Sequence, residues 1–291
     1  RWPTDRFVHS RRGWTGFIRG LKERYYKPLG ISVNDEELRD FFFDEDGAKL
    51  LAQMDAAGID TAVLLPLDWD GVNGAAEGNI LEQNEAYCDL ARRHPGRFVP
   101  FFSIDPHKGV AAGSFSRAVK DWGMKGLKLY PPTGFYPDDP CCDPLYVICL
   151  DHGLPVVFHG TTSPLSVTPY CHPEGFVRLA KKYPALRIVI AHSGGLDWNN
   201  EAVRACLDCE SVYLDISGFQ SLLDPALFKA ALETMYTAMT SFEKVLFGTD
   251  NPIFNRLCPI KTMVDNLRGL DIPDREKENL LFNAGKKLLR G

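Results

Sequence analysis

The chain has 291 residues, of which 45% are hydrophobic and 24% charged; its formal net charge is −5 and its pI about 5.8. That balance lacks the basic footprint of nucleic-acid-binding domains, no apolar run reaches the roughly 20 residues of a membrane span, and the opening stretch RWPTDRFVHS carries no apolar core of a signal peptide. The expectation is a cytoplasmic protein that acts on a small molecule, with no nucleic-acid or membrane partner.

In chain order, the first thirty residues stand apart. They hold eight Lys and Arg against only Asp5 and Glu23, together with six aromatic residues. Residues 1–44 contain no convincing strand; "RFVHS" and "GISVND" are too short. From there on, short apolar runs alternate with amphipathic ones. Strands are predicted near Thr61–Leu65, Phe98–Ser103, Gly126–Tyr130, Pro155–His159, Arg187–His192, Val212–Ile216 and Val245–Thr249. They are apolar almost throughout, as parallel strands covered on both faces must be. The helix signals between them are clear. "AKLLAQMDAAG" places Leu50, Leu51, Met54 and Ala57 on one face and stops at Gly58. "EGNILEQNEAYCDLARRHPG", "EGFVRLAKKYP" and "PDREKENLLFNAGKKLLRG" show the same period.

The repeat of about 30 residues is that of βα units, and the alternation predicts an α/β fold, a (β/α)8 TIM barrel. Seven strands are visible and such a barrel has eight. The first strand is therefore expected upstream of Arg1, with residues 1–45 forming an extended first βα loop and helix over the active face. Its arginines could steer an anionic substrate, or the segment could be a solvated or subunit-contact loop. Residues 1–291 are read as one domain. The proline-rich "PPTGFYPDDPCCDP" reads as a stiff wall of the pocket.

In barrels of this type chemistry sits where strands end. The strand ends here carry Asp68 and Asp70, Asp105, Lys128 and Tyr130, His159, His192, Asp215 with Ser217, and Asp250. Imidazole and carboxylate suit zinc and similar divalent ions. His159 reads as a metal ligand. His192, before "SGG", could be a ligand or an acid–base group. Asp250 could be a ligand, a general base or the cap of a turn. Lys128 could contact a substrate carboxylate, bridge metals as a carboxylated lysine, or pair with a buried acid; Tyr130 reads as a substrate contact. Asp105 reads as a turn residue before Pro106, and Asp215 as a group that holds a ligand histidine in orientation. Asp68 and Asp70 read as a solvated loop, and His9, His94, His107, His152 and His172 as surface residues. Eight cysteines in a chain of this length do not form a disulfide framework, so free thiols are expected, and the lone Cys206-x-x-Cys209 reads as helix.

The stretches "MDAAGIDTAVLL", "RFVPFFSIDP", "GMKGLKLYPPTGFYPDD", "GLPVVFHGTT", "YPALRIVIAHSGG", "VLFGTDNP" and "NAGKKLL" together resemble the amidohydrolase-related family. This is the branch of the amidohydrolase superfamily that includes aminocarboxymuconate-semialdehyde decarboxylase and the resorcylate decarboxylases. The resemblance implies a (β/α)8 barrel with a divalent metal, usually zinc and sometimes manganese, and often a homodimer. By position it implies that His159 is the strand-five ligand, Asp250 the strand-eight ligand and His192 the strand-six histidine that acts on substrate or water. The family's first strand ends in an H-x-H or E-x-H pair that is absent from this sequence. The resulting expectation is a metal-dependent hydrolase of the amidohydrolase type, acting on a small cyclic or carboxylate-bearing substrate through metal-activated water with Asp250 as proton carrier. Two alternatives use or lose the same residues: a metal-dependent non-oxidative decarboxylase, and a metal-free binding protein or pseudoenzyme.

Overall fold

The computed structural model describes residues 3–7, 11–162 and 169–290. Eight short strands run β1 Ala62–Leu64, β2 Phe98–Pro100, β3 Phe102–Ser103, β4 Leu127–Leu129, β5 Val156–Phe158, β6 Ile188–Ile190, β7 Val212–Asp215 and β8 Val245–Leu246. All pairings are parallel, β1 with β2 and β3 through β8 in sequence order. Every predicted strand is present. The one expected over Phe98–Ser103 is two pieces, because the chain changes partner at Phe101: its N–H donates to Leu64, whereas the next residue, Phe102, donates to Gly126. The Phe101 ring lies over Gly126, where a Cβ would meet it at 2.3 Å. A side chain there would displace the ring, so the close approach requires glycine.

β3 to β8 are buried along their length on both faces, which is why their sequences do not alternate. The main core lies between this sheet and the helices outside it, among them Ile80–Arg93, Asp143–Asp151, Pro173–Lys182, Asn199–Asp208 and Pro225–Met239. The helix predicted from Leu50 to Ala57 runs Ala48–Ala57 and ends at Gly58 in the left-handed region, φ +70°. There a glycine avoids the Cβ clash.

Among the described residues no strand pairs the free edges of β1 and β8. The ring of helices nevertheless meets across that gap: Ala57 of helix Ala48–Ala57 packs on Ile260 and Val264 of helix Ile260–Arg268. The Asn251 amide also donates to Gln53 at 2.8 Å. β8 stops early because Phe247 donates to Leu280 instead of to a strand. At the N-terminal end, the helices Arg11–Leu21 and Asp35–Phe42 form a second, aromatic-rich cluster. Phe17, Leu21, Tyr26, Leu38 and Phe42 pack there with Trp69 and Tyr130 from the strand ends. No described helix is long and apolar enough to cross a membrane.

Candidate active site

A cavity of about 1090 Å³ occupies the middle of the molecule. Both sheet edges line it, Val63 from β1 and Leu246 from β8, and so do His159, His192, Lys128, Tyr130 and Asp250. All five residues predicted for the site therefore line the same cavity. Phe17, Arg24 and Tyr25 from the N-terminal helices, with Trp69, add aromatic surface and a cation.

His159 follows β5, its N–H donating to Leu129 at 3.1 Å. His192 follows β6 and is held by an unusual backbone. Residues 192 to 195 all lie at positive φ: +64°, +47°, +80° and +63°. For His192 and Ser193 this costs of order 1–2 kcal/mol each, so neighbouring contacts must fix it. They do: Asp215 Oδ1 accepts the His192 N–H at 2.9 Å, the Ser193 hydroxyl donates to the Asp215 carbonyl at 2.6 Å, and the Asn199 amide donates to the Ser193 carbonyl at 2.9 Å. Gly195 is required, since a Cβ there would fall 2.0 Å from Thr161 Oγ1.

The side chains then form an ordered chain of donors. Ser217 donates its hydroxyl to Asp215 Oδ1, which also accepts the Ser217 N–H at 2.9 Å. His192 Nδ1 lies 2.9 Å from Ser217 Oγ and 3.2 Å from the Ser217 carbonyl. The carbonyl can only accept, and the hydroxyl proton is already committed, so Nδ1 carries the proton. In the neutral form of that tautomer His192 Nε2 would offer a lone pair, and it lies 3.2 Å from His159 Nδ1. In that pairing His159 donates from Nδ1, and its Nε2 is left unprotonated. That atom is buried and has no hydrogen-bond partner. Burial, then the nearby His192 and Lys128, hold the His159 imidazole well below its ordinary value, so it stays neutral. An open imidazole lone pair of this kind is what a divalent cation takes as a ligand.

Lys128, on β4, is buried at 6% exposure. Burial lowers its pKa, opposed by Asp215, Asp250 and Cys171. The Cys171 thiol is itself pushed up to about 12 by burial, with Lys128 opposing. Tyr130 is buried, its ring 4.9 Å from that of His159. Asp250 follows β8 at φ +45° and is exposed on the cavity wall. The described residues bring no group of three or more His, Cys, Asp or Glu together closely enough to hold a metal ion.

Two sequence expectations change. Asp68 is no solvated loop residue: it is 3% exposed, accepts the Asp105 N–H at 2.7 Å and pairs with Lys108 Nζ at 2.9 Å. Asp70 completes that cluster, 3.1 Å from the same Nζ. Asp215 does not touch a ring nitrogen; it holds His192 through its backbone and through Ser217. Ser217 was visible as a strand-end residue, but nothing in the sequence signals that its hydroxyl sets a tautomer. Asp105 does cap its own turn, accepting the His107 N–H at 2.9 Å. His94 bonds the Asp46 carbonyl and His172 caps helix Pro173–Lys182, while His9 lies outside the described residues.

No curated protein sequence is significantly similar to the chain. Among solved structures, an uncharacterized TIM-barrel protein from Bordetella bronchiseptica is 23% identical, with a TM-score of 0.73 over 99% of this chain and 95% of that one. The 5-carboxyvanillate decarboxylase of Novosphingobium aromaticivorans, solved with manganese and a nitrobenzoic acid, is 18% identical, with a TM-score of 0.68 over 97% and 93%. A 2,6-dihydroxybenzoate decarboxylase solved with 2,6-dihydroxybenzoate is also 18% identical, at 0.64 over 91% and 95%. These likenesses show the TIM-barrel fold. The amidohydrolase family model matches residues 17–290, nearly the whole chain, and the protein therefore belongs to the amidohydrolase family.

Proposed function

We propose that the protein is a metal-dependent enzyme that removes the carboxylate of a small aromatic acid as carbon dioxide, without oxidation. The observation that carries this reading is the open, neutral lone pair of His159 Nε2 beside a buried lysine in a cavity walled by aromatic rings. Two structural neighbours support the reaction class: both are decarboxylases of aromatic acids, and one was solved with manganese.

His159 and Asp250 would hold a divalent ion, manganese or zinc; two ligands are one short of the usual protein set for a catalytic zinc. The donor chemistry fits: a neutral imidazole whose outer nitrogen is free and whose inner nitrogen is anchored. When bound, such an ion polarises substrate oxygens. The chain's own residues do the rest. Lys128 receives the substrate carboxylate, and an anion at that place favours its charged form. Tyr130, Tyr25 and Trp69 flank the ring and exclude water. As the bond between ring carbon and carboxylate breaks, a proton must reach that carbon, and Asp250, exposed on the cavity wall, would take it from water and pass it on. His192 positions His159 and fixes its tautomer.

The test is product analysis with hydroxybenzoate-type acids and added manganese or zinc. Carbon dioxide and the decarboxylated phenol are expected. Turnover of a lactone or amide with no carbon dioxide from any aromatic acid would establish the hydrolytic alternative, and metal-independent ligand binding with neither product would establish a binding protein.

A further inference from the structure

A second cluster of reactive side chains lies outside the cavity, on two loops at the ends of β3 and β4. His107 Nδ1 is 2.9 Å from Asp105 Oδ1. The opposite ring nitrogen, Nε2, is 3.9 Å from Cys141 Sγ. Cys141 Sγ in turn is 3.9 Å from Cys142 Sγ, in the short 3-10 turn Pro140–Cys142. Carboxylate, imidazole and thiol thus stand in the order that activates a cysteine: the carboxylate fixes Nδ1–H, and Nε2 is free to take the thiol proton. None of these four residues lines the central cavity.

Three cysteines of the chain are partly exposed, Cys141, Cys209 and Cys258; the other five are buried. Among the described residues Cys141 is the one that faces a ring nitrogen. His107 is half exposed at its side chain, so small solutes reach the pair. Burial raises both thiols, Cys142 the more strongly, and this sorts their roles. Cys142, fully buried, stays a thiol; Cys141 needs the adjacent base to become a nucleophile.

We infer that Cys141 and Cys142 form a peroxide-reactive pair: His107 activates Cys141, and Cys142 resolves the product. In the first step Cys141 sulfur attacks the outer oxygen of a hydroperoxide and the O–O bond breaks. His107 accepts the thiol proton and passes it to the departing alkoxide or hydroxide. Sulfur is oxidised to the sulfenic acid, and the peroxide is reduced to an alcohol or water. In the second step the Cys142 thiol displaces hydroxide from that sulfur, its own proton completes a molecule of water, and an adjacent-residue disulfide remains. Bonding requires the sulfurs to close from 3.9 Å to about 2.05 Å, which the turn Pro140–Cys142 must yield to allow.

The experiment is peptide mapping by mass spectrometry after titration with limiting hydrogen peroxide. The Cys141–Cys142 peptide is expected to lose two hydrogens before any change at Cys209 or Cys258. Cys142→Ser is expected to stop at a dimedone-trappable sulfenic acid on Cys141. His107→Gln and His107→Ala are expected to slow Cys141 oxidation by about tenfold or more, while Cys209 and Cys258 in the same molecules keep their rates and so report an intact fold. First oxidation at Cys209 or Cys258, an unchanged Cys141 rate in both His107 variants, or a wild-type sulfenic acid that never closes on Cys142 would each overturn the inference.

Discussion

Two halves of the same strand-end rim carry the same residue types and put them to opposite use. On the β1–β3 side, Asp68 and Asp70 are consumed by Lys108, and Asp105 by the turn it caps and by His107. On the β5–β7 side, Asp215, Ser217, His192 and His159 are also bonded to one another, but the chain ends on a nitrogen with nothing to bond. The first arrangement closes on itself and stabilises the rim. The second leaves a buried imidazole nitrogen of a cavity-lining histidine without a partner. The difference lies in whether the last member of the network finds a partner within the protein, more than in which residues are present.

The sharpest way to break this contrast is His159→Ala, which removes the terminal lone pair. It should abolish both metal uptake, measured by elemental analysis after supplementation, and turnover; retained metal would place the ligand elsewhere. Next, His192→Ala leaves His159 Nε2 in place but frees its tautomer. Activity should fall about a hundredfold while most of the metal stays. Complete loss of metal would make His192 a ligand instead.

On the self-satisfied side, Lys108→Met strands the buried Asp68 carboxylate. A cost of about 2 kcal/mol at neutral pH is expected from urea unfolding, below the value for fully buried pairs because Lys108 is one-third exposed. The pH dependence has a definite sign. Burial raises the Asp68 carboxyl above its ordinary 3.8, so its contribution to stability is intact below that value and is lost as pH rises through the raised folded pKa. Without Lys108 that pKa rises further. The variant's deficit should be large at neutral pH and shrink toward about pH 4; a deficit independent of pH would mean that packing of the lysine stem dominates. The smallest effect is expected from Ser217→Ala, about tenfold in activity, since the Ser217 carbonyl still accepts from His192 Nδ1.

Much of this was legible in the sequence. Buried parallel strands need apolar runs, so "LPVVF" and "RIVI" announced themselves, and a histidine directly after such a run must emerge at the rim. That logic located His159, His192, Lys128, Tyr130 and Asp250 on one cavity. It failed where the outcome depends on partners far apart in the chain. "DWDG" looks like a polar loop, yet Trp69 packs into the aromatic cluster and carries Asp68 inward to Lys108, forty residues away. Ser217 gains its role only because the chain brings it beneath a ring twenty-five residues earlier. His107 looked like one more surface histidine because nothing local reveals Cys141, thirty-four positions on. Strand breaks were equally hidden: Phe98–Ser103 reads as one strand until its two halves are seen to serve different neighbours.

The left-handed run from His192 to Gly195 has a bearing on how this scaffold can be re-engineered. Libraries that vary the N-terminal helices, which bring Phe17, Arg24 and Tyr25 to the cavity, would reshape its lining without touching the lone pair. Grafting a different connection after β6 would not be neutral, because the ring of His192 is aimed by that backbone, whose N–H is anchored by Asp215 from the next strand. Catalytic diversification of this barrel should therefore concentrate on its other loops, with the stretch His192–Ser193–Gly194–Gly195 inherited as a unit.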